Sequence, residues 1–177
     1  MASLKATGWA GLLGGGAVIF ITVGSMLPFD RLIREVDSWA QGSGRNDLFA
    51  QIGNGEYQPR NMPWVRTLAP SEFGEKVRSS SLLVSHAGMG TILSAMEAGK
   101  PIVVLPRRVA DREVTTDHQV NTASWLKDKA GVFIASTEGD LPDAITTALS
   151  SHHNDLTRIH EYAPEEFTAK VRKFLLE

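Results

Sequence analysis

Short apolar runs alternate with amphipathic segments along the chain. Residues 17–23, AVIFITV, have the length and β-branched content of one buried strand. Apolar residues at helical spacing follow, namely Leu32, Ile33, Val36 and Trp39. A strand that is apolar at every position is typical of a parallel sheet covered on both faces. The pattern therefore predicts a strand followed by a helix that packs on the sheet.

The same alternation continues to the end of the chain. Five more strands are predicted at residues 47–54, 62–68, 81–88, 101–106 and 131–136, and five more helices at 70–79, 90–98, 118–128, 141–149 and 163–176. Ser71 is the candidate cap of the helix at 70–79. The predicted fold class is α/β, a Rossmann-like parallel sheet of about six strands with helices on both faces.

The stretch before the first helix is the ambiguous part of this pattern. Residues 6–29 carry no charge over 24 residues, which is long enough for a membrane span. Six glycines, two threonines, a serine and a proline interrupt it, so we interpret only residues 17–23 as a buried strand. Residues 1–16 are then a flexible lead-in, with a signal peptide or a membrane-contacting tail as alternatives. Residues 17–177 are predicted to form one domain.

Composition narrows the function classes. The chain has 177 residues and a formal net charge of −2, so no broad basic field favours nucleic acid as a partner. It has no cysteine, which excludes disulfides and thiolate metal sites and is compatible with the cytoplasm. His152, His153 and His160 lack the spacing of a metal site and are interpreted as surface residues. We expect neither a metal nor a cofactor.

Ligands of open parallel sheets bind at the carboxyl ends of the strands, which directs attention to the loops that leave them. In the loop after Val84, Gly88 and Gly90 remove side chains where a helix begins. The free amides of a helix start favour an anionic group such as a diphosphate, and Thr91 adds a hydroxyl donor. The alternative is that the glycines only let the helix and the strand pack closely.

The loop after Val23 repeats this design with Gly24 and Ser25, although an ordinary turn explains it as well. His86 leaves its strand beside the second glycine loop, as a ligand contact or as a buried histidine. The third loop, at residues 107–117, and the helix start after it hold the charged and polar residues Arg107, Arg108, Arg112, Glu113, Asp117, His118 and Gln119. Arginines pair with phosphate or carboxylate, and Asp117 and Gln119 suit sugar hydroxyls. Solvated arginines and a helix cap at Asp117 are the alternatives.

Three blocks of sequence carry a family resemblance. FITVGSMLPFDRLIREVD, SHAGMGTILSAMEAGKPIVVLPRR and DHQ resemble the C-terminal half of family 28 glycosyltransferases, over roughly residues 18–132. The chain is most similar to the small stand-alone versions: the catalytic subunit of the N-acetylglucosaminyltransferase of dolichol-linked glycan assembly, and bacterial exopolysaccharide subunits. The resemblance implies the C-terminal, nucleotide-sugar-binding half of a GT-B fold.

The resemblance also implies roles for individual residues. In the family the two glycine loops hold the donor diphosphate and the DHQ region faces the donor sugar. The residues that the resemblance and the loop chemistry together indicate for donor binding are Gly24, Ser25, His86, Gly88, Met89, Gly90, Thr91, Glu97, Arg107, Asp117, His118 and Gln119. Relatives often have a glutamate for the ribose at the position of Ser94, and Glu97 is the nearest acid here. Relatives place the base in the other half of the enzyme, so Glu113 and His118 are only fallback candidates.

The resemblance implies the donor-binding or catalytic subunit of a heteromeric enzyme. It would move a sugar from a UDP-sugar to a polyprenyl-diphosphate-linked acceptor in exopolysaccharide or lipid-linked glycan synthesis. A membrane-anchored subunit would bind the acceptor and hold this chain at the inner face of the membrane, through tryptophans or the last helix. The alternatives are a non-catalytic nucleotide-binding or scaffold module and, more remotely, a UDP-sugar epimerase. Glucuronate, glucose, galactose and N-acetylglucosamine all remain open as donors, with Arg107 and Arg112 as candidate partners of a uronate.

Overall fold

The computed structural model describes residues 18–151, 156–157 and 165–176. The predicted lead-in at residues 1–16, and the three histidines interpreted as surface residues, lie outside the described residues. The division into a lead-in and a domain therefore stays a prediction.

Strands and helices alternate as the apolar pattern predicts. In chain order they are β1 (Val18–Thr22), α1 (Asp30–Ser43), β2 (Leu48–Gln51), β3 (Trp64–Val65), α2 (Pro70–Ser79), β4 (Ser80–His86), α3 (Met89–Glu97), β5 (Ile102–Leu105), α4 (His118–Leu126), β6 (Val132–Ile134), a 3₁₀ turn (Glu138–Asp140), α5 (Leu141–Ser150) and α6 (Glu165–Leu176).

The strands form one six-stranded sheet in the order β3-β2-β1-β4-β5-β6, and every recorded pairing is parallel. The predicted fold class is confirmed. β3 has only two paired residues at the edge of the sheet, where the proline before it costs no ladder hydrogen bond. All carboxyl ends of the strands lie on the same edge, because all strands are parallel.

Helices cover both faces of the sheet because successive side chains of a strand point to opposite faces. Ile19 and Ile21 pack into one buried cluster with residues of α1 and α5. Phe20 and Leu83 pack into the other with residues of α2, α3 and α4. Burial on both sides explains why β1 is apolar in all but its last residue, and why the middle of β4, residues 82–84, is apolar as well.

One local prediction needs correction: Ser71 does not cap α2, because the helix begins after Ala69, whose amide donates to the Glu72 side chain at 2.8 Å. The helix predicted after β1 from its apolar residues is confirmed and begins at Asp30. Residues 25–28 are therefore an exposed loop, and the start of α1 is displaced from the glycine.

The last helix differs from the others because its apolar side is uncovered. Phe167, Phe174 and Leu175 are 59%, 83% and 72% exposed, whereas the apolar residues of α1 are buried. Among the residues that the structure describes, no helix is both long and apolar enough to cross a membrane.

Candidate functional site

The strand order places a crevice between β1 and β4. The chain runs from β1 outward to β3 and then returns to β4 on the other side of β1. This reversal is the point at which open α/β sheets bind ligands, outside the carboxyl ends of the two strands. β1 runs into Gly24 and β4 ends in His86, so the first two predicted loops meet at this crevice.

A cavity of about 350 Å³ opens at this edge of the sheet. Its lining residues come from both glycine loops, β2, the loop before α2 and the helices α2 and α3: Gly24, Ser25, Gln51, Leu68, Pro70, Phe73, Gly90, Thr91 and Ser94. Four of them, Gly24, Ser25, Gly90 and Thr91, are predicted donor-binding residues. The side between Leu68 and Phe73 is apolar, whereas the side formed by the glycine loops carries polar backbone groups.

The start of α3 supplies unpaired amides to this edge. Gly88 precedes the helix, and its carbonyl accepts from the amides of Thr91 and Ile92 at 3.1 and 3.2 Å. The amides of Met89 and Gly90 lie in the first turn and have no acceptor among the described residues. A Cβ built on Gly90 meets no atom within 4 Å, so the space beside these amides is open. This geometry suits an anionic group.

The imidazole of His86 fills the space between the two glycine loops. A Cβ on Gly24 would lie 2.6 Å from its Cε1 atom, and a Cβ on Gly88 would overlap its Nε2 atom. Gly24 also has a φ of +78°, a conformation that favours glycine. Packing against the His86 ring therefore explains Gly24 and Gly88, which neither the diphosphate prediction nor its alternatives foresaw. Of the three glycines in these loops, only Gly90 faces open space.

The surroundings of His86 keep its ring neutral. Burial, and secondarily the positive charge of Arg107, lower the pKa of His86 to about 4. Its Nδ1 atom lies 3.1 Å from the hydroxyl of Ser85. When Ser85 donates to Nδ1, the ring proton is on Nε2. A neutral His86 then contributes a hydrogen bond to a ligand, but no charge.

The first loop offers fewer free amides than the second. The Gly24 amide donates to the hydroxyl of Thr22 at 3.1 Å, and that hydroxyl donates to Gln51 at 3.0 Å. Ser25 is exposed at the crevice. The first loop therefore presents Ser25, and not the Gly24 amide, to the cavity.

Arg107 is not on the surface, contrary to the alternative of a solvated arginine. Its side chain is only 3% exposed and donates through Nη2 to the carbonyls of Val23 and Leu27, at 2.8 and 2.6 Å. Burial lowers the pKa of Arg107 to about 10, so it stays charged at neutral pH. Arg112, by contrast, is exposed and has a φ of +58°.

Glu113 forms a largely buried ion pair with Arg31, which sequence analysis did not predict. Both of its carboxylate oxygens accept from Arg31, at 3.0 and 2.8 Å, and one also accepts from the Arg108 amide. Arg31 also binds Glu138 at 2.9 Å, which ties the third loop to α1 and to the 3₁₀ turn. A carboxylate so occupied is poorly placed to take a proton from a substrate.

The residues of the DHQ block mainly shape the third loop. The Asp117 carboxylate accepts from the Val109 amide at 2.9 Å and makes no cap bond to α4. Gln119 is buried and accepts from the Arg107 amide at 3.2 Å. The exposed His118 ring lies 2.7 Å from the hydroxyl of Thr116. Their contact with a donor sugar stays a prediction.

Ser94 and Glu97 both line a groove beside the cavity, but only Ser94 also lines the cavity itself. Ser94 lines the cavity, where its hydroxyl donates to the Gly90 carbonyl at 2.9 Å. Glu97 is exposed at the other end of α3 and lines a neighbouring groove with Gly74 and Arg78. The structure does not bring Glu97 to the cavity, and its predicted ribose contact remains unsupported by the geometry.

Sequence reasoning missed the wall opposite the glycine loops. Leu68, Pro70 and Phe73 follow β3, and only the strand order brings them beside α3. Thr22 and Gln51 did carry a signal: each is a polar residue at the carboxyl end of an apolar strand, and the two are hydrogen-bonded.

A larger groove, of about 1010 Å³, lies along α1 beside Tyr57 and Trp64. It contains none of the predicted donor-binding residues, and its polar wall is built around the buried Asp37. In the described part of the chain, no group of three or more histidine and acidic side chains is placed to hold a metal ion.

Comparison with known sequences identifies one family whose model covers most of the chain. Residues 18–174 match the model of the glycosyltransferase family 28 C-terminal domain. Over 125 residues the chain is 31% identical to the human protein "UDP-N-acetylglucosamine transferase subunit ALG13", covering 65% of this chain but only 11% of that protein.

Solved structures show the same fold. The glycosyltransferase of kitacinnamycin matches with a TM-score of 0.60 at 19% identity, over 85% of this chain and 40% of that one. A solution structure of ALG13 matches with a TM-score of 0.55 at 16% identity, over 88% of this chain and 94% of that one. The shared fold thus spans under half of the kitacinnamycin glycosyltransferase chain and nearly all of the ALG13 chain in that solution structure.

Proposed function

Because the chain belongs to the glycosyltransferase family 28 C-terminal domain family, we propose that it is the donor-binding subunit of a heteromeric glycosyltransferase. It takes a UDP-sugar at the crevice between β1 and β4. The sugar passes to a polyprenyl-diphosphate-linked acceptor, in exopolysaccharide or lipid-linked glycan synthesis.

The main support for the proposal is the pair of unpaired amides at the start of α3. Within the part of the chain that the structure describes, the amides of Met89 and Gly90 have no acceptor, and they lie beside an open cavity where the strand order reverses. In the proposed complex the diphosphate accepts from these amides, and the apolar wall at Leu68 and Phe73 takes the base. Donors already fixed in place stabilise the charge that grows on the diphosphate as the sugar leaves.

The proposed partner subunit binds the acceptor and excludes water, because a single crevice cannot present both substrates to each other. Support for a partner comes from α6, whose residues Phe167, Phe174 and Leu175 expose an apolar side. We propose that this apolar side of α6 forms part of the interface with the partner subunit, and that the partner holds the chain at the inner face of the membrane.

Two glycines provide a matched test of donor binding. A Cβ on Gly90 and a Cβ on Gly42 both enter open space, so neither Gly90→Ala nor Gly42→Ala creates a clash within the chain. Only the methyl group at Gly90 stands where the diphosphate is proposed to bind. In calorimetric titration with UDP, Gly90→Ala is expected to weaken binding about tenfold, the equivalent of 1.4 kcal/mol, and Gly42→Ala to leave it unchanged. Absence of UDP binding by the unmodified chain refutes the proposal.

A second function is favoured by the engagement of Glu113. Both oxygens of Glu113, one of the two fallback candidates for the base, are held by Arg31, which fits a nucleotide-binding module without turnover. Mixing the chain with membranes that contain the partner and a labelled UDP-sugar separates the two: the proposed enzyme transfers label to lipid, and the module does not.

The donor sugar is tested at Arg112. Of the two arginines considered for a uronate, Arg107 is buried and Arg112 is exposed. If the donor is a uronate, Arg112→Ala weakens binding of UDP-glucuronate more than binding of UDP-glucose. Equal weakening of both contradicts a uronate contact at Arg112.

A further inference from the structure

The buried Arg107 connects the loops that form the crevice. It follows β5, and its guanidinium reaches beneath the first loop to the carbonyls of Val23 and Leu27. Its own amide donates to the buried Gln119, which fixes the start of the third loop. Arg107 therefore links the first loop directly to the start of the third loop.

The positive charge of this side chain is incompletely compensated. Within the described residues no carboxylate lies at ion-pair distance from Arg107, and its Nε atom is buried without a hydrogen-bond partner. The Glu113 carboxylate raises the pKa of Arg107 from a longer distance, but burial outweighs it, and Glu113 is itself paired with Arg31. The guanidinium lies 4.9 Å from the centre of the Phe29 ring, in apolar surroundings. A buried charge of this kind is costly unless a negative group approaches it.

The charge lies close to the two glycine loops. It is near enough to His86 to disfavour protonation of that ring, and the His86 ring packs against Gly24 and Gly88. The guanidinium bonds the Val23 carbonyl directly before Gly24, and the Met89 amide directly follows Gly88, so an anion at the start of α3 and the buried cation both lie near the His86 ring. Attraction across a water-poor region of this kind is stronger than across solvent.

We propose that Arg107 is a positioning residue for the anionic part of the ligand: it fixes the first loop from beneath and supplies a buried positive charge that the nucleotide diphosphate compensates. This inference rests on the proposed function. It assigns Arg107 an indirect role, acting through the loop and through the field, and not a direct contact with the donor sugar.

The test separates the diphosphate from the rest of the nucleotide. Dissociation constants of UDP and of uridine are measured by NMR titration of the 177-residue chain, unmodified and with Arg107→Met, Arg107→Lys or Arg60→Met. Arg107→Met is expected to raise the dissociation constant of UDP about tenfold or more and that of uridine less than about threefold, because only UDP carries the negatively charged diphosphate. Arg107→Lys keeps the charge and is expected to keep the preference for UDP over uridine within about threefold.

Arg60→Met is the matched control, because it removes an exposed arginine that lines the groove along α1 and is expected to change neither constant. The inference is overturned if Arg107→Met binds UDP like the unmodified chain, or if it loses UDP and uridine equally, as a purely structural role predicts. Should Arg107→Met not fold, Arg107→Gln is judged by the same criterion. If the unmodified chain binds neither ligand, the proposed function itself fails.

Discussion

The protonation of His86 gives the most quantitative prediction. The ring is enclosed by the two glycine loops and lies near the charged Arg107, which together lower its pKa from about 6.5 to about 4. The test lowers the pH and compares the unmodified chain with His86→Asn, whose side chain at this position binds no proton.

The sign and size follow from proton linkage. As the pH falls below about 6.5, the unfolded chain binds a proton at His86, whereas the folded chain does so only near pH 4. Protons therefore favour unfolding in this window, and the stability contributed by a neutral His86 is present above pH 6.5 and is lost toward pH 4. Between pH 7.5 and pH 5 this loss amounts to about 2 kcal/mol for the fully shifted pKa.

Urea denaturation at pH 7.5 and pH 5 measures the effect. The free energy of unfolding of the unmodified chain is expected to fall by about 2 kcal/mol more than that of His86→Asn, because all other titrating groups are shared. Equal losses in the unmodified chain and in His86→Asn refute the burial of a neutral ring.

Three further substitutions test the packing around the crevice, each by urea denaturation at neutral pH. Gly88→Ala forces a methyl group onto the His86 ring and is expected to cost about 1–3 kcal/mol, whereas Gly90→Ala stays within about 0.5 kcal/mol; equal costs contradict the contact. Arg31→Met leaves Glu113 without its bidentate partner and is expected to lower the free energy of unfolding by about 3 kcal/mol. The control Arg45→Met, at the surface pair with Asp47, is expected to lower it by less than about 1 kcal/mol. If Arg31→Met has a similarly small effect, the ion pairs of Arg31 do not stabilise the third loop. The Asp37 carboxylate accepts from the Tyr57 hydroxyl and the Asn61 amide, and Asp37→Asn, which puts an NH₂ donor in its place, is expected to lower the free energy of unfolding by about 2–3 kcal/mol. The control Ser38→Ala, at an exposed position, is expected to change it by less than about 0.5 kcal/mol. Similar values for the two variants contradict a stabilising role of the Asp37 hydrogen bonds.

The fold was predictable because its strands are buried on both faces. Continuous apolar runs such as β1 and β5 leave little choice but a parallel sheet under two layers of helices. The order of the strands was not predictable from these runs, since periodicity shows which residues are buried but not which strands are neighbours. For that reason the wall at Leu68 and Phe73 was missed, although it lines the same cavity as Gly90.

At the site, only part of the arrangement of the two glycine loops could be predicted from the sequence. The start of α3 was predicted from the glycines and the helix that follows, and its unpaired amides are present. The sequence does not show that the His86 ring is what requires Gly24 and Gly88, because the two positions are 64 residues apart and meet only through the pairing of β1 with β4. The buried course of Arg107 was equally hidden, since an arginine in a polar loop has no local signal of burial.

The central claim is that UDP binds at the crevice between β1 and β4, and mapping of backbone amide NMR shifts during a UDP titration tests it most directly. The account predicts that the largest shifts are at Ser25, Met89, Gly90 and Ser94, with amides along the outer side of α1 unchanged. Shifts concentrated instead at Arg34, Tyr57 and Asn61, in the larger groove, contradict it.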